Sequence, residues 1–177
     1  MSDVTTQQTD ATNVTNAAPV PTLDAIREAM EEAWRHVRAV VQEMMGPVLD
    51  AGPDAGGWTP RQVLSHIVGA WQRVPIHASF FLAGREVVPI QLGDDYWMPE
   101  WQTAPLEAFL LAIETAYEGS SALLRRLDAM TLATRAQTPF GEASLGDILL
   151  TSYRGHIDHF HLPQLRAFLS SEHPTER

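Results

Sequence analysis

Residues 144–165 read Ser144-Leu145-Gly146-Asp147-Ile148-Leu149-Leu150-Thr151-Ser152-Tyr153-Arg154-Gly155-His156-Ile157-Asp158-His159-Phe160-His161-Leu162-Pro163-Gln164-Leu165. Ser144 suits a helix N-cap, and Asp147 stands in the capping-box position three residues on. Leu145, Ile148, Leu149, Ser152 and Tyr153 then recur at spacings of three and four, one face of a helix. Beyond the histidines, Leu162, Leu165, Phe168 and Leu169 keep that spacing but point to nearly the opposite side of a regular helix. Pro163 lacks a backbone donor, and its ring clashes with the carbonyl of His159. One inserted residue, a π-bulge, turns the later half by about 100° and restores a common face; such bulges are frequent at functional sites. The stretch therefore predicts a single helix over 144–170, irregular where its histidines lie.

Three more helices precede it. The first starts at Thr22 and carries Leu23, Ile26, Met30, Trp34, Val37, Val41 and Met44 as one buried stripe, ending at Gly46-Pro47. The second has a full start signal: Thr59 as cap, Pro60 in the first position and Gln62 closing a capping box. Val63, Ile67, Ala70 and Val74 form its inner side, Pro75 is expected to kink it, and it ends near Gly84. The third begins around 103–105 and continues through Leu106, Phe109, Leu110, Ile113, Ala116, Tyr117, Leu123, Leu124 and Leu127. Residues 138–143 form a short turn-rich link. No alternating pattern is long enough to build a sheet, although 87–90 reads as a short extended piece. The connection 85–102 is long and carries Tyr96, Trp97 and Trp101; such a link lets the third helix run parallel to the second. Long loops of this kind often act as lids.

The fold class is thus all-α: a four-helix bundle over 23–170, with a flexible tail at 1–22 and another at 171–177. Apolar residues make up 45% and charged residues 19%, an ordinary globular profile. No run approaches the roughly 18 apolar residues of a membrane span. The first 22 residues are polar and do not read as a secretion signal, so a cytoplasmic location is expected and the Asn13-Val14-Thr15 sequon is read as unused. Cysteine is absent, which removes disulfides, thiolate nucleophiles and thiolate metal ligands. Lysine is absent too, which removes Schiff-base and phosphate-loop chemistry. A net charge of −10 without a basic footprint argues against nucleic acid as a partner.

Seven histidines remain as the chemical feature. His36 and His173 read as incidental. His77 shares a face with His66 but lies roughly 16 Å along the helix from it, too far for one ion. His66 sits in an apolar segment, where a lone histidine is more often a core residue than a ligand. The three histidines at 156, 159 and 161 change that balance, because side chains converging from facing helices commonly build bundle metal sites. On a regular helix His156 and His159 lie about 60° apart and His161 about 140° from His156; the bulge brings His161 to a position equivalent to four residues from His156. Two pairings are therefore open. The candidate ligands are His66, His156 and His161, with His159 as the alternate. Asp158 is a candidate acceptor for a ligand imidazole.

The sequence from Gly57-Trp58-Thr59-Pro60-Arg61-Gln62 to Ser65-His66-Ile67 resembles the start of the second helix in the DinB/YfiT-like family of metalloenzymes. His161-Leu162-Pro163-Gln164-Leu165 is similar to that family's last motif, a histidine followed by Leu-x-Gln-Ile. Asp94-Asp95-Tyr96-Trp97 and Ala104-Pro105-Leu106 resemble its ClbS/DfsB-like branch. The resemblance spans about residues 23–170. It implies an up-down-down-up bundle, a homodimer, and a metal site of one histidine from helix two and two from helix four at i and i+4. His66 and His161 match; Ile157 stands where the family has the remaining histidine, and His156 is displaced by one.

Two functions follow as expectations. In the first, the histidines hold Zn²⁺, Ni²⁺ or another first-row ion that activates water or a low-molecular-weight thiol, for hydrolase or S-transferase chemistry on a small molecule. Without cysteine, any thiol must come from a small cofactor. In the second, the bundle sequesters an apolar small molecule without catalysis. Trp58, Tyr96, Trp97 and Tyr153 are the candidate substrate contacts; no catalytic residue is assigned.

Overall fold

The computed structural model describes residues 19–44, 46–84, 99–138 and 141–171. Helix α1 spans Leu23–Glu43, α2 Pro60–Leu82 and α3 Leu106–Leu124; a short α4 covers Ala129–Leu132. Strands β1 (Arg135–Thr138) and β2 (Gly141–Ser144) form an antiparallel hairpin, pairing Arg135 with Ser144 and Thr138 with Gly141. The last long helix is composite: α5 (Leu145–Leu150), a π-helical segment (Thr151–His161) and α6 (Leu162–Ser171). Among the described residues no helix is long and apolar enough to cross a membrane.

The caps form where the sequence places them. The Thr22 hydroxyl accepts from the Ala25 amide at 3.2 Å. At α2 the box is reciprocal: Thr59 Oγ1 accepts from the Gln62 amide at 3.3 Å, and the Thr59 amide donates to Gln62 Oε1 at 2.8 Å. Ser144 and Asp147 repeat that arrangement at α5. Each such cap satisfies amides that the first turn leaves without helical partners. The stripes also hold: Ile26, Met30, Val37, Val41 and Met44 of the first are buried, with Trp34 half-buried.

Contacts between the elements give the helix directions. A Cβ added to Gly146 would lie 3.1 Å from Val20 Cγ1, just ahead of α1, and further along both helices His36 meets Asp158, so α1 and α5–α6 run the same way. Trp71 packs on Tyr153, His66 on His156, and Asp54 on Gln164, so α2 runs against them. The Arg61 guanidinium donates to the Ala104 carbonyl at 2.6 Å, which puts the starts of α2 and α3 at one end. Trp71, Tyr153, Phe81, Phe109 and Ile113 fill the space between the helices. Fully burying a side chain of this kind stabilises the fold by about 1.5–3 kcal/mol.

Two readings are corrected. The link expected at 138–143 is half of the β1–β2 hairpin, so a small sheet exists; its strands of four residues are too short for alternation to show. The third helix stops at Leu124, and Leu127 is buried beyond it in the turn leading to α4. The extended piece at 87–90, Tyr96, Trp97 and His173 lie outside the described residues.

Candidate metal centre

The π-helical segment is the local structure on which the site depends. Its eleven residues, Thr151–His161, extend the single bulge expected from sequence. The Leu162 amide closes the segment by donating to the Ile157 carbonyl, five residues back. In such a helix residues five apart stack much as residues four apart do in an α-helix. Pro163 follows at the second position of α6, where the new α-helical turn tolerates a missing amide. His156 and His161 consequently project to one side, toward His66 on α2.

The three Nε2 atoms converge. His156 Nε2 lies 3.1 Å from His66 Nε2 and 3.2 Å from His161 Nε2. One ligand atom from each of the three histidines lies within 4.8 Å of the other two. His66 and His161 are 2% and 3% exposed, and His156 is half-buried. Trp58 packs over two of the rings, edge-on to His66 with centroids 5.1 Å apart and stacked on His161 at 6.1 Å.

Burial, then the neighbouring imidazoles His161 and His156, pushes His66 down to about 3. Burial and His161 push His156 down to about 4. His161 is also lowered, by burial, although its contact with Gln164 opposes the shift. All three rings are neutral near pH 7 and keep a lone pair for a cation. A neutral Nε2 carries either one proton or one lone pair, so linear hydrogen bonds from His156 cannot satisfy both neighbours. A cation at the centre can. Tetrahedral ligation by imidazoles about 2.0–2.1 Å from an ion separates nitrogens by roughly 3.3–3.4 Å; the 3.1 and 3.2 Å separations here are close to that. The residues fit a divalent ion.

The other expected positions fall differently. His159 is exposed and outside the cluster, because the π-helical register that aligns His156 with His161 turns it toward solvent. Asp158 does not support a ring of the cluster; it accepts from His36 Nδ1 at 2.7 Å and ties α1 to the π-segment. Tyr153 lies in the core, 0% exposed against Trp71, and burial raises its phenol above the usual tyrosine range. A hydroxyl held there is not positioned to meet a small molecule entering from solvent. Of the four aromatic candidates, the described residues place Trp58 at the cluster.

Sequence reasoning missed the groups behind His161. Its Nδ1 lies 3.0 Å from Gln164 Oε1, and Gln164 Nε2 donates to Asp54 Oδ2 at 2.6 Å. The Asp54-Ala55-Gly56-Gly57 run carries the signal of a side-chain-closed turn, but nothing local points to its distant partner.

The chain is thus of the class of helical bundles in which imidazoles from two facing helices converge with a fit to a metal ion, and it has no cysteine to add a thiolate. The chain belongs to the DinB superfamily, whose family model matches residues 12–161. A solved structure, YfiT from Bacillus subtilis, described as a probable metal-dependent hydrolase with an unusual four-helix bundle topology, superposes with a TM-score of 0.70 at 21% identity. That likeness covers 88% of this chain and 91% of YfiT and shows the shared fold. No curated protein matches the chain.

Proposed function

We propose that the chain is a divalent-metal-dependent hydrolase of the DinB superfamily acting on a small molecule, with His66, His156 and His161 holding the ion. The observation that carries this reading is the convergence of one ring nitrogen from each of His66, His156 and His161 within 4.8 Å of the other two. The description of YfiT, a protein of the same fold, as a probable metal-dependent hydrolase supports it. Three protein ligands leave at least one position for water or substrate, the arrangement of catalytic rather than closed structural sites. When bound, the ion supplies Lewis acidity that makes water, or a small thiol from solution, a nucleophile near neutral pH. The imidazole donor set suits Zn²⁺, Ni²⁺ and other first-row ions. Trp58 covers the His66 and His161 rings and keeps bulk water from that side. At the level of sequence, Asp94-Asp95-Tyr96-Trp97 and Ala104-Pro105-Leu106 support a place in the ClbS/DfsB-like branch.

The test is metal analysis of protein purified without an affinity tag, followed by thermal unfolding with and without added zinc. About one equivalent of bound ion is expected in the native chain and none in His66→Ala. Zinc at a hundredfold excess over its Kd adds about 2.7 kcal/mol, which raises Tm by roughly 5–10 °C for a chain of this size. Less than about a tenth of an equivalent after supplementation, with unchanged Tm, refutes the reading. If the metal reading holds, a panel of activated esters and amides, with and without a small thiol, separates hydrolase from S-transferase chemistry.

A further inference from the structure

We propose that Asp54 is a positioning residue for this centre: through Gln164 it fixes the tautomer of His161, and through its turn it seats Trp58 on the same ring. This inference rests on the reading of the three histidines as metal ligands, but its first readout needs no metal.

The chemistry of the chain of contacts leaves one arrangement. An Asp54 carboxylate only accepts, so the Gln164 group facing it at 2.6 Å must be the amide NH₂. That orients the Gln164 carbonyl toward His161, 3.0 Å from Nδ1. A carbonyl also only accepts, so His161 must carry its proton on Nδ1. The neutral ring then keeps its lone pair on Nε2, the atom that faces His156 at 3.2 Å. The proton is therefore placed by a carboxylate two hydrogen bonds away, in the way that outer partners orient metal-ligating histidines.

The other carboxylate oxygen has a separate task. Asp54 Oδ1 accepts from the Gly56 amide at 2.9 Å and the Trp58 amide at 3.0 Å, while the Asp54 amide donates to the Trp58 carbonyl at 2.9 Å. Gly57 adopts φ +83°, a left-handed conformation that suits glycine, and so lets the chain double back. The turn delivers Trp58 to the His66 and His161 rings. A side chain needed only to close a turn would be complete with Oδ1. Oδ2 instead reaches Gln164, 110 positions along the chain. The Asp54 carboxyl lies below the usual carboxylate range: burial opposes this, but the hydrogen bonds from Gln164, Trp58, Gly56 and Gly57 outweigh it.

Two variants break the link to His161 from its two ends while keeping the turn. Asp54→Ser retains a side-chain oxygen for the turn amides but does not reach Gln164; Gln164→Leu removes the link and leaves the turn untouched. Nitrogen-15 correlation spectra of the histidine rings in metal-free protein report the tautomer directly. Wild type is expected to show His161 as the Nδ1–H form, and both variants a mixture of tautomers or the Nε2–H form. In zinc titrations both variants are expected to bind 10- to 100-fold more weakly than wild type, the usual loss for an outer partner. An Nε2–H ring in metal-free wild type, or an unchanged Nδ1–H ring in both variants, overturns the proposal. Wild-type zinc affinity in both variants overturns it while leaving the metal reading intact. If wild type binds no zinc, the metal reading fails, and the ring spectra still decide the Asp54 link.

Discussion

Acidifying the metal-free protein from pH 7.5 to 5.0 is expected to cost about 4 kcal/mol of stability through His66 and His156 alone. In the unfolded chain each imidazole titrates near 6.5. In the folded chain His66 is held down to about 3, by burial and then by His161 and His156, and His156 to about 4, by burial and then by His161. Between these limits the unfolded state takes up protons that the folded site refuses, so stability falls as pH falls and is fully present above 6.5. Each unit below 6.5 costs about 1.4 kcal/mol per histidine. At pH 5.0 that is about 2 kcal/mol for each ring, about 4 for the pair, against a typical total of 5–15 kcal/mol. The assay is urea unfolding in chelator at half-unit pH steps, comparing wild type with His66→Leu/His156→Leu. Contributions of the other titrating groups are common to both proteins and cancel. Wild type should lose about 4 kcal/mol more than the variant over this range. Parallel pH profiles for the two proteins would refute the reasoning, since they would mean that the rings are not buried uncharged.

Two further outcomes are expected. Ser144→Ala should cost about 0.5–2 kcal/mol of stability in urea unfolding, the usual value for an N-cap, because the fully buried Ser144 hydroxyl meets the Asp147 amide at 3.0 Å and its carboxylate at 2.6 Å; no loss would show that α5 starts elsewhere. His159→Ala should leave zinc stoichiometry and affinity unchanged, because that ring is exposed and outside the cluster; a drop in isothermal titration would return it to the ligand set.

The helices were legible because burying one side of a helix forces apolar residues into spacings of three and four, and because Thr22, Thr59 and Ser144 mark their starts with side chains that cap amides. The irregularity of the last helix was legible as a contradiction: Leu149 and Leu165 both belong to apolar stripes and both are buried, yet on a regular α-helix they lie about 160° apart. Its extent was not, since π-helical bonding over eleven residues is a property of the packed chain and not of any one residue. The hairpin escaped because a pair of four-residue strands shows no period. Asp54 and the His36–Asp158 pair escaped for another reason. Each joins segments more than a hundred positions apart, and sequence spacing carries information only along one element.

The most direct measurement is anomalous diffraction from zinc-loaded crystals, collected on both sides of the zinc absorption edge. One peak is expected between α2 and the π-helical segment, about 2.0–2.1 Å from Nε2 of His66, His156 and His161. No peak there after loading, or a peak held by exposed histidines such as His159, would contradict a metal centre built from these three rings.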